Sequence, residues 1–389
     1  MWGRPIDDTS KAVGRDAFAR DVTMTLKGQT NVAIFGPRDT GKTTFATQLA
    51  QELRQDHGAD APPHVVVKVN FQRAFSIPAC IGAVHDALMS HPERRIQREA
   101  RRQITAMEKE IGFDIKVIKG AVKRSGVTPQ QDAEAFHAQL FSMAKLGDHV
   151  VVILDEFQRL NRCPESPLSI IRSALMSGGA NHLSLLLTGS IREALKMMLE
   201  KSDEPIFGEV AQMELPPIEH VDFLEFLDFN FQATERPATE EALNYLLHLS
   251  ERHPKRTQQL AWTVWRTAKS TDLPIQVDLV ERAHDEMLEG SDLSEFETTL
   301  GVLGNGGEGE NNELRALFLL AERGGGSVTS RENVALYGFT SHARIPDALD
   351  RLRRRGLAQR RGDEWVMVDP LFAQWLRRQS PLQLRPEDL

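Results

Sequence analysis

The chain is poor in cysteine: Cys80 and Cys163 are its only thiols in 389 residues, and they show no CxxC spacing. That scarcity argues against a disulfide framework and against a cysteine-bound zinc. No uninterrupted apolar run approaches the roughly 20 residues needed to cross a bilayer. The opening "MWGRPIDDTSKAVGRD" has no apolar signal core, so the expectation is a cytoplasmic protein with no membrane partner. No internal repeat is visible either. What is present, 41% apolar and 26% charged residues, predicts a globular chain of two or three domains.

Charge is unevenly spread around a formal net value of −8. Residues 91–125 hold ten Lys/Arg against five Asp/Glu, and residues 312–389 hold thirteen Arg, no Lys and ten Asp/Glu. Basic islands on an acidic body fit nucleic acid, and they equally fit that body or an acidic partner.

Strand and helix patterns alternate through the first half. "NVAIF" (31–35), "HVVVKVN" (64–70), "HVVVILDE" (149–156), "LSLLLTGS" (183–190) and "VAQMEL" before Pro216 read as five buried strands. Near-continuous apolar character is what strands covered on both faces require. Helical segments lie between them, as in "TTFATQLAQEL", where Phe45, Leu49 and Leu53 share one face. The expected fold is α/β, a three-layer parallel sheet. After Pro217 the strands stop and amphipathic helices follow. "GVLGNGGEGENN" (301–312) reads as a linker or turn. Beyond it come three helices, a hairpin around a Gly-Asp turn and a closing helix, which is winged-helix order.

The chemistry starts in "GPRDTGKTT". The spacing Gly36-x-x-x-x-Gly41-Lys42-Thr43, between a strand and a helix, is that of a phosphate-cradling P-loop. Gly36 and Gly41 permit close backbone approach, and the N–H groups of Pro37-Arg38-Asp39-Thr40 and of Lys42-Thr43-Thr44 (Pro37 excepted) form the cradle. Lys42 reaches the β- and γ-phosphates, and the Thr43 hydroxyl binds Mg²⁺. The complementary acids stand in "VVVILDEFQ": Asp155 holds the metal through its water shell and Glu156 is the general base for an attacking water. Glu156 argues against a small-molecule kinase. In "LLLTGS", Thr188 or Ser190 is placed to orient that water or sense the γ-phosphate. The expected ligands are ATP, ADP and Mg²⁺.

Several segments occur in an order that resembles the archaeal-type ATPases, relatives of the origin-recognition and STAND branches of AAA+ proteins. They are "VGRDAFARDV", the P-loop, "VVVILDEFQRL", "LLLTGS", "PIFGEVAQMELPPI", "HPKRTQQLAWTVW" and "WVMVDPLFAQWLRR". The resemblance implies a P-loop NTPase (AAA+/ASCE) core over 1–217 with sheet order 5-1-4-3-2 and a basic insertion at about 91–125. It further implies a helical lid over 218–300 and, beyond the 301–312 linker, a winged-helix domain over 313–389. It implies that Arg15, in the family's "GR" element, lies near the adenine, and that Lys255 or Arg256, after His253-Pro254, approaches the phosphates. Glu209 stands where the family commonly has an arginine, and Arg252 where its lid motif has glycine. Arg159, Arg162 and Arg192 are the remaining candidates for an arginine finger.

In the winged helix, Ile345, Leu349 and Leu352 are expected to pack inward, leaving Arg351, Arg354 and Arg355 on other faces, with Arg360 and Arg361 at the wing. DNA contact through these residues and through 91–125 is one expectation. The 91–125 segment is also a candidate arm at an oligomer's mouth. The reading as a whole is an ATP-hydrolysing AAA+ homo-oligomer acting on DNA or a DNA-bound complex. The alternative is a STAND-like switch that binds a protein partner and turns over slowly.

Overall fold

Alternation inside the apolar strands decides the architecture. The sheet is parallel, ordered β2(Val65–Asn70)–β5(Val150–Asp155)–β6(Leu183–Gly189)–β1(Asn31–Phe35)–β7(Val210–Glu214). Numbering the five core strands alone, this is the 5-1-4-3-2 order. One face presents Val32, Ile34, Val66, Val151, Ile153 and Leu186 to α1(Asp16–Lys27) and α2(Lys42–Gln55). The other presents Ala33, Phe35, Val65, Val67, Val152, Leu154 and Leu187 to α3(Ile77–Met89), α5(Pro129–Met143) and α6(Pro167–Ser177). A one-residue slip would exchange these two sets, so the pairing register is fixed by burial, at roughly 1.5–3 kcal/mol for each large aliphatic side chain.

The computed structural model describes residues 13–55, 64–111, 117–118, 121–122, 128–143, 145–147, 149–164, 167–177, 183–190, 210–290, 293–304, 308–324 and 328–379. Contacts divide them into two compact units. The first holds residues 13–36 and Gly41–Pro216; the second holds Pro37–Thr40 and the chain from Pro217 onward. No helix among the described residues is long and apolar enough to cross a membrane. Cys80 and Cys163 are both buried and free.

The basic insertion forms α4(Arg94–Ile111), followed by a two-residue hairpin of β3(Val117–Ile118) and β4(Ala121–Val122). Phe113 and Ile115, which alternate with Val117 in the sequence as in a strand, lie outside the described residues. Ile96 and Ala100 are buried in the sheet's core, so the first turns of α4 are seated on the fold and do not project as an arm.

In the second unit, α7(His220–Ala233), α8(Glu240–Leu249), α9(Pro254–Thr267) and α10(Val277–Glu289) are the lid helices. α11(Ser294–Gly304) and α12(Glu308–Arg323) follow, then α13(Glu332–Leu336), α14(Arg344–Arg355), the hairpin β8(Ala358–Arg361)–β9(Glu364–Met367) and α15(Pro370–Arg378). The linker expected at 301–312 is corrected here: residues 301–304 end α11 and 308–312 begin α12. Its Gly, Asn and Glu content concealed a helical period in which Phe296, Leu300 and Leu303 form one face. Phe296 and Leu303 share a core with Leu288, Leu317, Leu320, Leu349, Leu352, Trp365 and Trp375, so lid and winged helix are fused through one hydrophobic cluster.

Candidate active site

In an open parallel sheet, ligands bind beyond the carboxyl ends of the strands. Here those ends are Phe35-Gly36, Asn70, Asp155-Glu156 and Gly189-Ser190. After β1 the chain turns through Pro37–Thr40, closed by the Thr40 hydroxyl donating to the Pro37 carbonyl at 2.8 Å. Asp39 (φ 61°) and Gly41 (φ 92°) are left-handed. The positive φ of Gly41 requires glycine there, and a Cβ would stand 3.2 Å from Nη1 of Arg15, crowding that guanidinium. α2 then begins at Lys42, whose buried Nζ donates to the Gly36 carbonyl at 2.8 Å, back across the loop's mouth. Residues 42–44 form the first turn of α2, whose N–H groups have no partner within the helix and carry its positive end.

Arg15 reaches this loop from the start of α1. Its own φ is 72°, its Nε donates to the Pro216 carbonyl at 2.8 Å, and burial lowers its pKa to about 10. The guanidinium therefore lies against the P-loop glycine, at its hinge with α2.

Asp155 ends β5 and is 1% exposed. Thr188 donates to its Oδ1 at 2.5 Å and Thr43 to the same oxygen at 3.3 Å. Asn70 Nδ2 donates to Oδ2 at 3.2 Å, and Lys68 Nζ stands 3.9 Å from that oxygen. Lys68 also donates to the Thr43 carbonyl (3.1 Å) and the Thr47 hydroxyl (2.6 Å). The P-loop hydroxyl and the strand-end carboxylate are thus neighbours, a hard-oxygen pair of the kind Mg²⁺ takes. No cluster of three or more His, Cys, Asp or Glu exists among the described residues. A cation here would draw on one carboxylate, one hydroxyl, water and substrate phosphate, which is the usual Mg²⁺ arrangement.

Glu156 is left-handed (φ 57°), where β5 passes into the short helical turn Phe157–Arg162. Gln158, 8% exposed, donates from Nε2 to Glu156 Oε2 at 2.7 Å and to the Ser190 hydroxyl at 2.8 Å. Arg159 Nε lies 3.6 Å from the same Glu156 oxygen. Thr188 and Ser190, alternatives in the sequence, therefore part company: the first holds Asp155 and the second belongs to the Glu156 network.

The second unit disposes of several expected cations. Lys255 Nζ pairs with Asp39 at 2.8 Å. Burial raises the Asp39 carboxyl, but the hydrogen bond and charge of Lys255, with the charges of His253 and Arg256, outweigh it and hold its pKa below the usual value. Arg256, 7% exposed, is clamped on both oxygens of Asp369, with Nε at 2.9 and 3.0 Å and Nη2 closer still. Asp369 simultaneously caps α15, accepting from Leu371 N and Phe372 N. This arginine serves a lid to winged-helix joint and is not held ready for phosphate. Burial lowers the pKa of His253. Arg351 and Arg355 also differ from the DNA-facing expectation. They turn onto Glu313 of α12, at 3.9 and 2.6 Å, the latter at ion-pair distance without hydrogen-bond alignment. Arg354, Arg355, Arg360 and Arg361 remain exposed. Arg192 and Glu209, and the Arg162 side chain, lie outside the described residues.

Lys68, Asn70 and Gln158 were missed in the sequence. Lys68 left a trace, as the lone cation interrupting "VVVKVN"; Asn70 and Gln158 left none.

The loop, the acids and the sheet order define a P-loop NTPase fold, here followed by lid helices and a winged-helix unit. Solved structures share it. A Walker-type ATPase of Pyrococcus abyssi superposes with a TM-score of 0.64 at 16% identity, covering 96% of this chain and 98% of that one. The ORC2 protein of Aeropyrum pernix, in its ADPNP–ADP complexes, gives 0.57 at 15% identity, covering 93% and 92%. By sequence, no protein-family model and no curated protein matches the chain. The likeness to origin-recognition-type P-loop ATPases is therefore one of fold along nearly the whole length, and function must be argued from the site.

Proposed function

We propose that this protein binds ATP with Mg²⁺ and hydrolyses it to ADP and phosphate. One observation carries the reading: Thr43, at the start of α2, and Asp155, at the end of β5, stand side by side, with Glu156 as the next residue. Gly36, the 37–40 turn, Gly41, Lys42, Thr43 and Thr44 hold the phosphates. Lys42 neutralises them, and Arg15 adds a second cation against Gly41. Thr43 and Asp155 would hold Mg²⁺, which supplies charge neutralisation on the phosphate oxygens when bound. Asp155 is kept in place by Thr188 and Asn70. Glu156 accepts a proton from water as the water oxygen bonds to the γ-phosphorus and the bond to the ADP oxygen breaks. The ADPNP and ADP in the Aeropyrum pernix ORC2 complexes support adenine as the base.

Hydrolysis drives a homo-oligomeric switch on DNA or a DNA-bound complex. Its phosphate-binding surface falls on α4 and not on α14. Arg95, Arg98, Arg102, Glu99 and Lys145 line a cleft of about 520 Å³, whereas Arg351 and Arg355 are occupied by Glu313. The deciding experiment measures ATP binding by calorimetry, turnover and particle mass for wild type and Glu156→Gln, with and without duplex DNA. The substitution is expected to keep ATP and lower turnover about 10²–10⁴-fold. No nucleotide uptake, or normal turnover in Glu156→Gln, defeats the assignment. Tight ADP with no measurable turnover favours the protein-partner switch, a reading supported by the Arg256–Asp369 clamp between lid and winged helix.

A further inference from the structure

Gln158 sits two residues beyond the candidate base and is not used by the hydrolysis scheme above, yet it touches both ends of it. A carboxylate only accepts hydrogen bonds, so the amide face toward Glu156 must be the NH₂. That nitrogen is also the atom next to the Ser190 hydroxyl, at 2.8 Å. An amide NH₂ cannot accept, so Ser190 must receive this bond and carry its own hydrogen elsewhere. One side chain thereby sets the direction of two others. The remaining atom, Gln158 Oε1, is buried and meets no donor among the described residues. That atom has almost no surface open to solvent, so the orientation of the amide is set by what its nitrogen gives to Glu156 and Ser190.

We propose that Gln158 is a positioning residue for hydrolysis: its two amide hydrogens hold the Glu156 carboxylate and fix the direction of the Ser190 hydroxyl, so that both face the attacking water in one arrangement. This rests on the proposed role of Glu156 as the base. Gln158 itself gains and loses no proton; it orders the acceptor, the hydroxyl and the water before the proton moves.

The test is steady-state ATPase kinetics across pH 5–9 with calorimetric ATP binding, on wild type, Gln158→Ala, Gln158→Glu, Ser190→Ala and the Gln158→Ala/Ser190→Ala double variant. Gln158→Ala is expected to lower kcat about 10–100-fold, as loss of near-attack placement does, with KM and ATP affinity within about threefold of wild type. Ser190→Ala should add little once Gln158 is gone, because both act through one network. Gln158→Glu is nearly isosteric and sets a second carboxylate beside Glu156, so the acid limb of kcat should move to higher pH. Wild-type kcat in Gln158→Ala overturns the proposal, as do fully additive losses or an unmoved acid limb. Should Glu156→Gln be inactive while Gln158→Ala is normal, only Gln158 loses its role. If Glu156→Gln turns over normally, the base assignment fails and takes this inference with it.

Discussion

Among the described residues, each unit of the molecule buries one carboxylate almost completely, and the two face opposite kinds of partner. Asp155 is 1% exposed and takes its bonds from the hydroxyls of Thr188 and Thr43 and the amide of Asn70, with Lys68 at a distance of 3.9 Å. Glu313 is 2% exposed and faces the guanidinium of Arg355 at 2.6 Å, with that of Arg351 at 3.9 Å. Neutral donors satisfy lone pairs while leaving the negative charge available to a cation. Guanidinium partners cancel that charge and lock a joint. A buried carboxylate thus becomes a candidate ligand site in one place and a structural fastener in the other, according to its neighbours.

The same conservative change should separate the two most sharply. Asp155→Asn removes the charge that a metal needs and keeps the shape, so turnover should fall by about 100-fold or more, with Mg²⁺ no longer tightening ATP binding in calorimetry. Glu313→Gln should leave both quantities unchanged. The fastener can then be broken from its other side. With Arg351→Ala/Arg355→Ala the buried Glu313 keeps its charge without a partner, at a cost of about 2–4 kcal/mol in denaturant unfolding. Glu313→Gln costs less, because the two arginines still reach water. If the two variants prove equal, Glu313 is not held by charge. Thr188→Val is a smaller perturbation of the metal-side acid: one Asp155 lone pair loses its donor, which costs about 1–3 kcal/mol of stability. Weaker, not absent, Mg²⁺ dependence should accompany it.

The smallest effect concerns pH. Burial lowers the His253 pKa, opposed by the charges of Asp369 and Asp39 and aided by that of Arg256. The unfolded chain, with histidine near 6.5, therefore binds a proton that the folded chain resists. His253 costs no stability above that value and a growing amount as pH falls below it. Thermal midpoints between pH 7 and 5 should decline less in His253→Gln than in wild type.

The P-loop and the DE pair were legible because their chemistry is tied to spacing: Gly36, Gly41, Lys42 and Thr43 are consecutive or nearly so, and the acids end an apolar run. The sheet order followed from a resemblance, and the layering from strands apolar on both faces. For the winged-helix arginines the sequence left DNA and acidic neighbours both open, because helical periodicity locates the apolar face of α14 and is silent about what covers the other faces. Arg351 and Arg355 met Glu313, which comes 38 residues before Arg351. Composition misled at 301–312, where glycines outweighed the Phe296-Leu300-Leu303 face in the reading. Gln158 and Asn70 carried no signal, since a lone amide beside a motif has no spacing rule.

What the sequence determined by itself is local and covalent: which loop can approach a phosphate, which strands need cover on both faces, and which residue follows which acid. Tertiary structure alone decided the partners: Thr188 rather than Ser190 on Asp155, Asp369 on Arg256, and Glu313 beneath the basic helix. The reason is that backbone geometry acts over a few residues, whereas a buried charge takes whichever donor the completed packing brings within about 3 Å.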